Sequence, residues 1–171
     1  MKKAILLSLL FVACVFTASA QKFALIDMEY ILKNIPAYEQ ANTQLNQASQ
    51  QYQSEVEAKA KEAEALYKEY QKASVSLSAA QKTQREEAIV AKEKEAAELR
   101  KKYFGPEGEM AKKQEALITP IQDKIYEAVK QISEQKGYAA VVDRGSAQSI
   151  IFASPSIDIS NEVLSRLGYS N

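Results

Sequence analysis

The sequence contains no histidine, no tryptophan and a single cysteine, Cys14, in 171 residues. Without histidine there is no Ser-His-Asp triad and no Cys-His dyad, and the commonest zinc ligands are missing. P-loop and nucleophile-elbow spacings are absent too, so the chain is expected not to be an enzyme and to need no metal or cofactor. A surplus of charge is also missing: 22 basic residues stand against 22 acidic ones. A chain so balanced offers no broad basic field, and no nucleic-acid partner is expected.

Glycine and proline are scarce, at five and four residues. Their scarcity points to long uninterrupted helix. Pro36 to Lys136 is rich in Ala, Gln, Glu and Lys, all strong helix formers, and its only glycines are Gly105 and Gly108. Tyr38, Ala41, Leu45, Ala48, Tyr52 and Val56, then Ala60, Ala63, Leu66, Tyr70, Ala73 and Leu77, recur mostly at alternating three- and four-residue spacings. That period makes one narrow apolar seam on a helix. Between Gln81 and Lys102 charges of alternating sign crowd the chain, and apolar residues thin to Ile89, Ala96 and Leu99, with Tyr103 just beyond. The alternation fits a solvated helix laced by ion pairs rather than a charge-reading site. Leu117, Ile121, Ile125, Val129 and Ile132 then form a stronger stripe.

The first twenty residues read as an export signal. Lys2 and Lys3 are a charged start, Ala4 to Phe16 an apolar core, and Ala18-Ser19-Ala20 a small-residue cleavage site before Gln21. A lesser alternative makes Cys14 a lipid-attachment site, because Phe11-Val12-Ala13-Cys14 loosely resembles a lipobox. Cleavage after Ala20 leaves a chain without cysteine, which needs no disulfide and has no thiol nucleophile. Losing Lys2 and Lys3 leaves 20 basic residues against 22 acidic.

Strand-like segments flank the helical region. Lys22 to Met28 is almost continuously apolar, and Glu29 to Leu32 either extends it or starts a short helix. Tyr138 to Asp143 reads as a second strand, and Ser149 to Ala153 as a third that pairs with it as a hairpin across Arg144-Gly145-Ser146. Asp158, or Ser160 with Asn161, caps a short helix from Glu162 to Leu167 that Gly168 closes. If the first two strands pair, the helix between them must go out and return.

Two places could hold the reversal. Ser74 to Ser78 mixes β-branched and hydroxyl residues, and Ser78 with Gln81 has capping-box spacing. Gly105-Pro106-Glu107-Gly108 is the stronger breaker, but a turn there would leave arms of very unequal length. The tip is therefore placed near 74–78 and a break near 105–108. The domain expectation is a signal peptide over 1–20, a β body from 21–35 and 137–171, and a helical arm over 36–136. So small a body favours a core shared among several chains.

This order of elements resembles the OmpH family. The resemblance rests on Phe23-Ala24-Leu25-Ile26-Asp27-Met28 with Ile35-Pro36, and on Gly137 to Asp143 followed by Ile151-Phe152-Ala153-Ser154-Pro155 and Asp158 to Leu164. It implies an α+β fold in which a long antiparallel helical hairpin projects from a small β body shared in a homotrimer. The trimer body would include Phe23, Leu25, Ile26, Val141, Val142, Ile150, Ile151 and Phe152. It further implies a periplasmic, ATP-independent holdase that keeps unfolded outer-membrane proteins from aggregating, with the outer-membrane assembly machinery as a further partner. The family's best-known member is strongly basic, whereas a pI near 6.4 argues here against lipid or lipopolysaccharide as a partner. The alternative is a structural coiled-coil stalk of the envelope, which would want an unbroken Leu, Ile and Val seam. Tyr52 and Tyr70 fall on the seam; Tyr67 falls off it and is the first choice as a client contact. Asp27 and Asp143, near strand ends, read as turn-binding carboxylates before they read as a catalytic pair.

Overall fold

A computed structural model describes residues 21–147 and 150–169. The expected export signal and Cys14 lie outside these residues. The chain divides into two compact units, one of residues 33–125 and one that joins 21–32 to 126–169.

The first unit is helical. Helix α2 (Pro36–Ala73) begins on a proline, whose missing N–H costs nothing in a first turn. It ends at the serine-rich stretch 74–78, where Ser76 N–H donates to the Ala73 carbonyl at 2.9 Å. Helix α3 (Ala79–Phe104) opens with a full capping box. Ser78 Oγ accepts from Gln81 N–H, and Gln81 Oε1 accepts from Ser78 N–H at 2.9 Å. These bonds satisfy donors that the first turn of a helix otherwise leaves open. Ser78→Ala is expected to lower stability by about 1 kcal/mol, checked by urea denaturation; an unchanged midpoint would remove the cap from any part in fixing the turn.

The two helices run antiparallel, because cross-helix partners descend α3 as they climb α2. Lys59 meets Glu95 at 3.9 Å, Glu62 meets Lys92 at 3.3 Å, and Glu69 meets Arg85 at 3.9 Å. What they bury is thin: Val56 and Ala63 from α2, with Ile89 and Tyr103 from α3. Small residues let backbones approach closely but remove little apolar area from water, so each turn of this pair is only weakly held.

Helix α3 stops at a four-residue turn, closed by Gly108 N–H to the Gly105 carbonyl at 2.9 Å. A Cβ on Gly105 would lie 2.4 Å from the Lys101 carbonyl oxygen, and one on Gly108 would lie 2.7 Å from that of Tyr103. Close backbone approach, not unusual dihedrals, is why both positions are glycine. Helix α4 (Glu109–Lys136) follows and runs through Pro120 without interruption. Its buried stripe is Ile121, Ile125, Ala128 and Ile132, with Leu117 and Val129 at its edges.

The second unit is built on two parallel strands, β1 (Lys22–Ile26) and β2 (Tyr138–Asp143), with Ala24 opposite Val141 and Leu25 opposite Val142. Parallel strands need a long crossover, and here the whole helical region supplies it. β1 is shorter than its apolar run because Asp27 starts helix α1 (Met28–Lys33). Asp27 Oδ1 accepts from Tyr30 N–H at 2.9 Å, the geometry of an N-cap. The far edge of β1 is covered where Ile159 N–H donates to the Leu25 carbonyl at 2.9 Å. Helix α5 (Ser160–Arg166) ends in a Schellman arrangement at Gly168, whose φ of 84° suits glycine. Tyr169 N–H there reaches back to the Leu164 carbonyl at 2.8 Å.

The third strand expected over 149–153 does not form: residues 150–153 have no strand pairing, and Ser149 lies outside the described residues. The turn after β2 continues through Ala147 N–H to the Asp143 carbonyl and Ile150 N–H to the Ala147 carbonyl, instead of reversing into a hairpin. A two-stranded sheet also has too little face to bury Ile151 and Phe152, and both side chains stay exposed.

Candidate functional site

Two apolar surfaces stand out, one in each unit. In the helical unit, the antiparallel pair leaves a groove of about 750 Å³. Its floor is Val56, Ala60 and Ala63 from α2 and Ala96 and Ala97 from α3. Tyr67 stands at the end nearer the tip and Phe104 at the other, 49% and 43% exposed. Alanine at these positions is what opens the groove: a larger side chain at 60 or 97 would fill it.

An aromatic cluster closes the Phe104 end. Tyr52 stacks on Tyr103 with ring centroids 4.1 Å apart, and Phe104 meets both edge-on at 6.4 and 6.5 Å. The Tyr103 hydroxyl donates to the Glu55 carboxylate, which holds Glu55 below the usual carboxylate range and pushes the Tyr103 phenol up. Tyr70 donates in the same way to Glu86. Tyr52 and Tyr70 are thus engaged between the helices, while Tyr67 keeps half its surface open. Phe104, Ala97 and Arg100 were not singled out from sequence. Their signal is faint: they share a helix face by three- and four-residue spacing, one row beside Ala96, Leu99 and Tyr103.

In the strand-bearing unit, Leu25 and Ile26 are buried within the chain, and Val141 and Ile150 are half-buried. Phe23, Val142, Ile151 and Phe152 are exposed, Phe23 at 53% and Phe152 at 85%. Among the described residues β2 pairs only with β1, so its outer edge carries open backbone donors and acceptors.

The carboxylates at the strand ends are used structurally. Asp143 Oδ1 accepts from Met28 N–H and Gly145 N–H, both at 3.1 Å. Asp27 takes Tyr30 N–H on one oxygen and the Arg144 guanidinium on the other, at 2.8 Å. Arg144 also reaches Asp158 at 3.3 Å. The Tyr30 amide first, then Arg144, lowers the Asp27 carboxyl below its ordinary range. Among the described residues no cluster of acidic side chains could hold a metal, and no helix is long and apolar enough to cross a membrane.

The order β1, paired long helices, β2, short terminal helix is matched in sequence by the family described as outer membrane protein (OmpH-like), over residues 22–167. The chain belongs to the OmpH family. Its fold is similar to the crystal structure of a candidate outer membrane chaperone (OmpH-like) from Caulobacter crescentus, with a TM-score of 0.66 and 12% identity over 87% of this chain and 85% of that one. At such low identity what the two share is the fold. No curated protein matches the sequence.

Proposed function

We propose that this OmpH-family protein is an ATP-independent holdase chaperone of the periplasm, which binds unfolded outer-membrane proteins between helical arms and keeps them from aggregating. The observation that carries this is the open, alanine-floored groove on a long, thinly packed helical pair. A stalk would bury such a stripe completely. A holdase must instead offer apolar area without offering so much that its own copies aggregate. Small floor residues ringed by charge meet both demands, and many weak contacts along one client add up through effective concentration. Release then needs no nucleotide, because a client that folds into a membrane withdraws its apolar surface.

The chains are proposed to associate as a homotrimer through the strand-bearing unit. The exposed Phe23, Val142, Ile151 and Phe152, with the unpaired edge of β2, support self-association, since such an edge and patch are normally covered. Leu25, Ile26, Val141 and Ile150 would back that surface. Tyr67 is the proposed client contact, and the outer-membrane assembly machinery a further partner. Nothing in the charge balance favours lipid or lipopolysaccharide.

The test is light scattering of a denatured outer-membrane protein diluted into buffer with and without the purified chain. Scattering should fall several-fold at equimolar chain, and Tyr67→Ala should weaken suppression. If scattering is unchanged by the wild-type chain, the holdase function is wrong and a structural role gains.

A further inference from the structure

Charge is distributed unevenly along the groove. Several charged side chains on the α2–α3 pair are neutralised locally or across the helices: Lys68 with Glu64 at 2.5 Å, Lys94 with Glu98 at 3.8 Å, Glu62 with Lys92 at 3.3 Å. Three that line the groove are not. Glu93, Arg100 and Lys101 have no ion-pair partner among the described residues. They are also sorted by sign: Glu93 lies toward Tyr67, level with Glu64, while Arg100 and Lys101 lie two helical turns away beside Phe104. Between them the floor is apolar and shallow.

We infer that the groove takes an extended polypeptide segment whose apolar side chains are flanked by a basic residue at one end and an acidic residue at the other. This rests on the holdase function proposed above and names the segment chemistry that the groove selects. Glu93 and Lys101 are separated by about 12 Å along the helix at about 1.5 Å per residue. An extended chain covers that distance in about four residues at about 3.3 Å each. Two or three large apolar side chains therefore fit over Ala60, Ala96 and Ala97, with Tyr67 and Phe104 as walls. The flanking charges then meet partners of opposite sign at either end. A segment with the same sign at both ends leaves one charge against a like charge, and an uncharged segment forfeits both pairs.

The alanine floor provides a direct probe. The full chain, labelled with ¹³C at alanine methyls, is titrated with three capped peptides: Lys-Leu-Phe-Leu-Glu, Lys-Leu-Phe-Leu-Lys and Glu-Leu-Phe-Leu-Glu. Shifts are expected at the methyls of Ala60, Ala96 and Ala97. The oppositely charged peptide should bind roughly threefold tighter than either like-ended one at low salt, and the difference should vanish as salt screens the rims. Glu93→Lys should turn the preference toward the peptide with Glu at both ends. Silent floor methyls, equal affinities for the three peptides, or a preference unmoved by Glu93→Lys would each overturn the proposal. If the wild-type chain suppresses aggregation while the peptides show no selectivity, the holdase function stands and the groove's charge selection falls. If the wild-type chain does not suppress aggregation, the function itself falls.

Discussion

Ile132→Ala is expected to destabilise the strand-bearing unit by about 2–5 kcal/mol. Ile132 is fully buried, as are Ile31 and Val163 in the same unit. Truncation to alanine loses the transfer free energy of the removed carbons and leaves a cavity that the neighbours can fill only in part. Collapse is hindered here because Ile132 sits on α4, which is tied to α5 by polar links on either side. Arg166 holds Gln131 at 3.2 Å and Gln135 at 2.6 Å, and Lys136 meets Glu162 at 2.6 Å. The unit is also small, so a few kcal/mol are a large share of what holds it folded. Amide exchange at β1 and β2 reports the loss without interference from the helical signal of the arm, and Ile132→Val should cost about 1 kcal/mol. The chain concentration is held fixed, because self-association would add its own stability. A cost below that of the valine variant would mean that Ile132 is not part of the core.

Asp27→Ala is expected to cost about 1–2 kcal/mol, the usual consequence of deleting an N-cap, and to change how stability depends on pH. Asp27 caps α1 through Tyr30 N–H, pairs with Arg144, and through its own N–H donates to Ser160 Oγ at 2.8 Å. The substitution keeps the last bond and removes the first two. Because the folded-state carboxyl is held below its ordinary range, its contribution is fully present above about pH 4. That contribution is lost as pH falls through the folded value, where protonation removes the charge that Arg144 and the amide stabilise. Acid unfolding of the wild type should thus be steeper, and the two stability curves should converge at low pH. Curves that stay parallel down to pH 2 would show that the carboxylate contributes nothing electrostatic.

Much of the helical architecture was legible because it is set by neighbours in sequence. Ser78 and Gln81 are three residues apart, and a capping box needs nothing else. The periodic apolar positions of α2 and α4 and the closing glycine at 168 are equally local signals. The α+β class was what the family resemblance implied, and the pairing of β1 with β2 joins two apolar runs that lie at either end of the helical stretch. Residues 150–153 misled because Ile150-Ile151-Phe152 has strand composition, and composition does not say whether the preceding turn reverses the chain. In the folded chain Ala147 and Ile150 N–H close successive turns, and among the described residues the outer edge of β2 stays open. Ala60 misled in a milder way. Its spacing puts it on the seam, yet the antiparallel pairing leaves it exposed and part of the groove floor.

Left to itself, the sequence determined the capping box of α3, the thinness of the helical seam and the lack of histidine, because each depends on residue type or on spacing within a few turns. Tertiary structure alone decided which alanines lie open, which charges lose their partners, and that Asp27, Arg144 and Asp158 converge from three distant segments. Those outcomes depend on how α3 is set against α2 and how the chain ends meet, and a helical period is the same for any such setting.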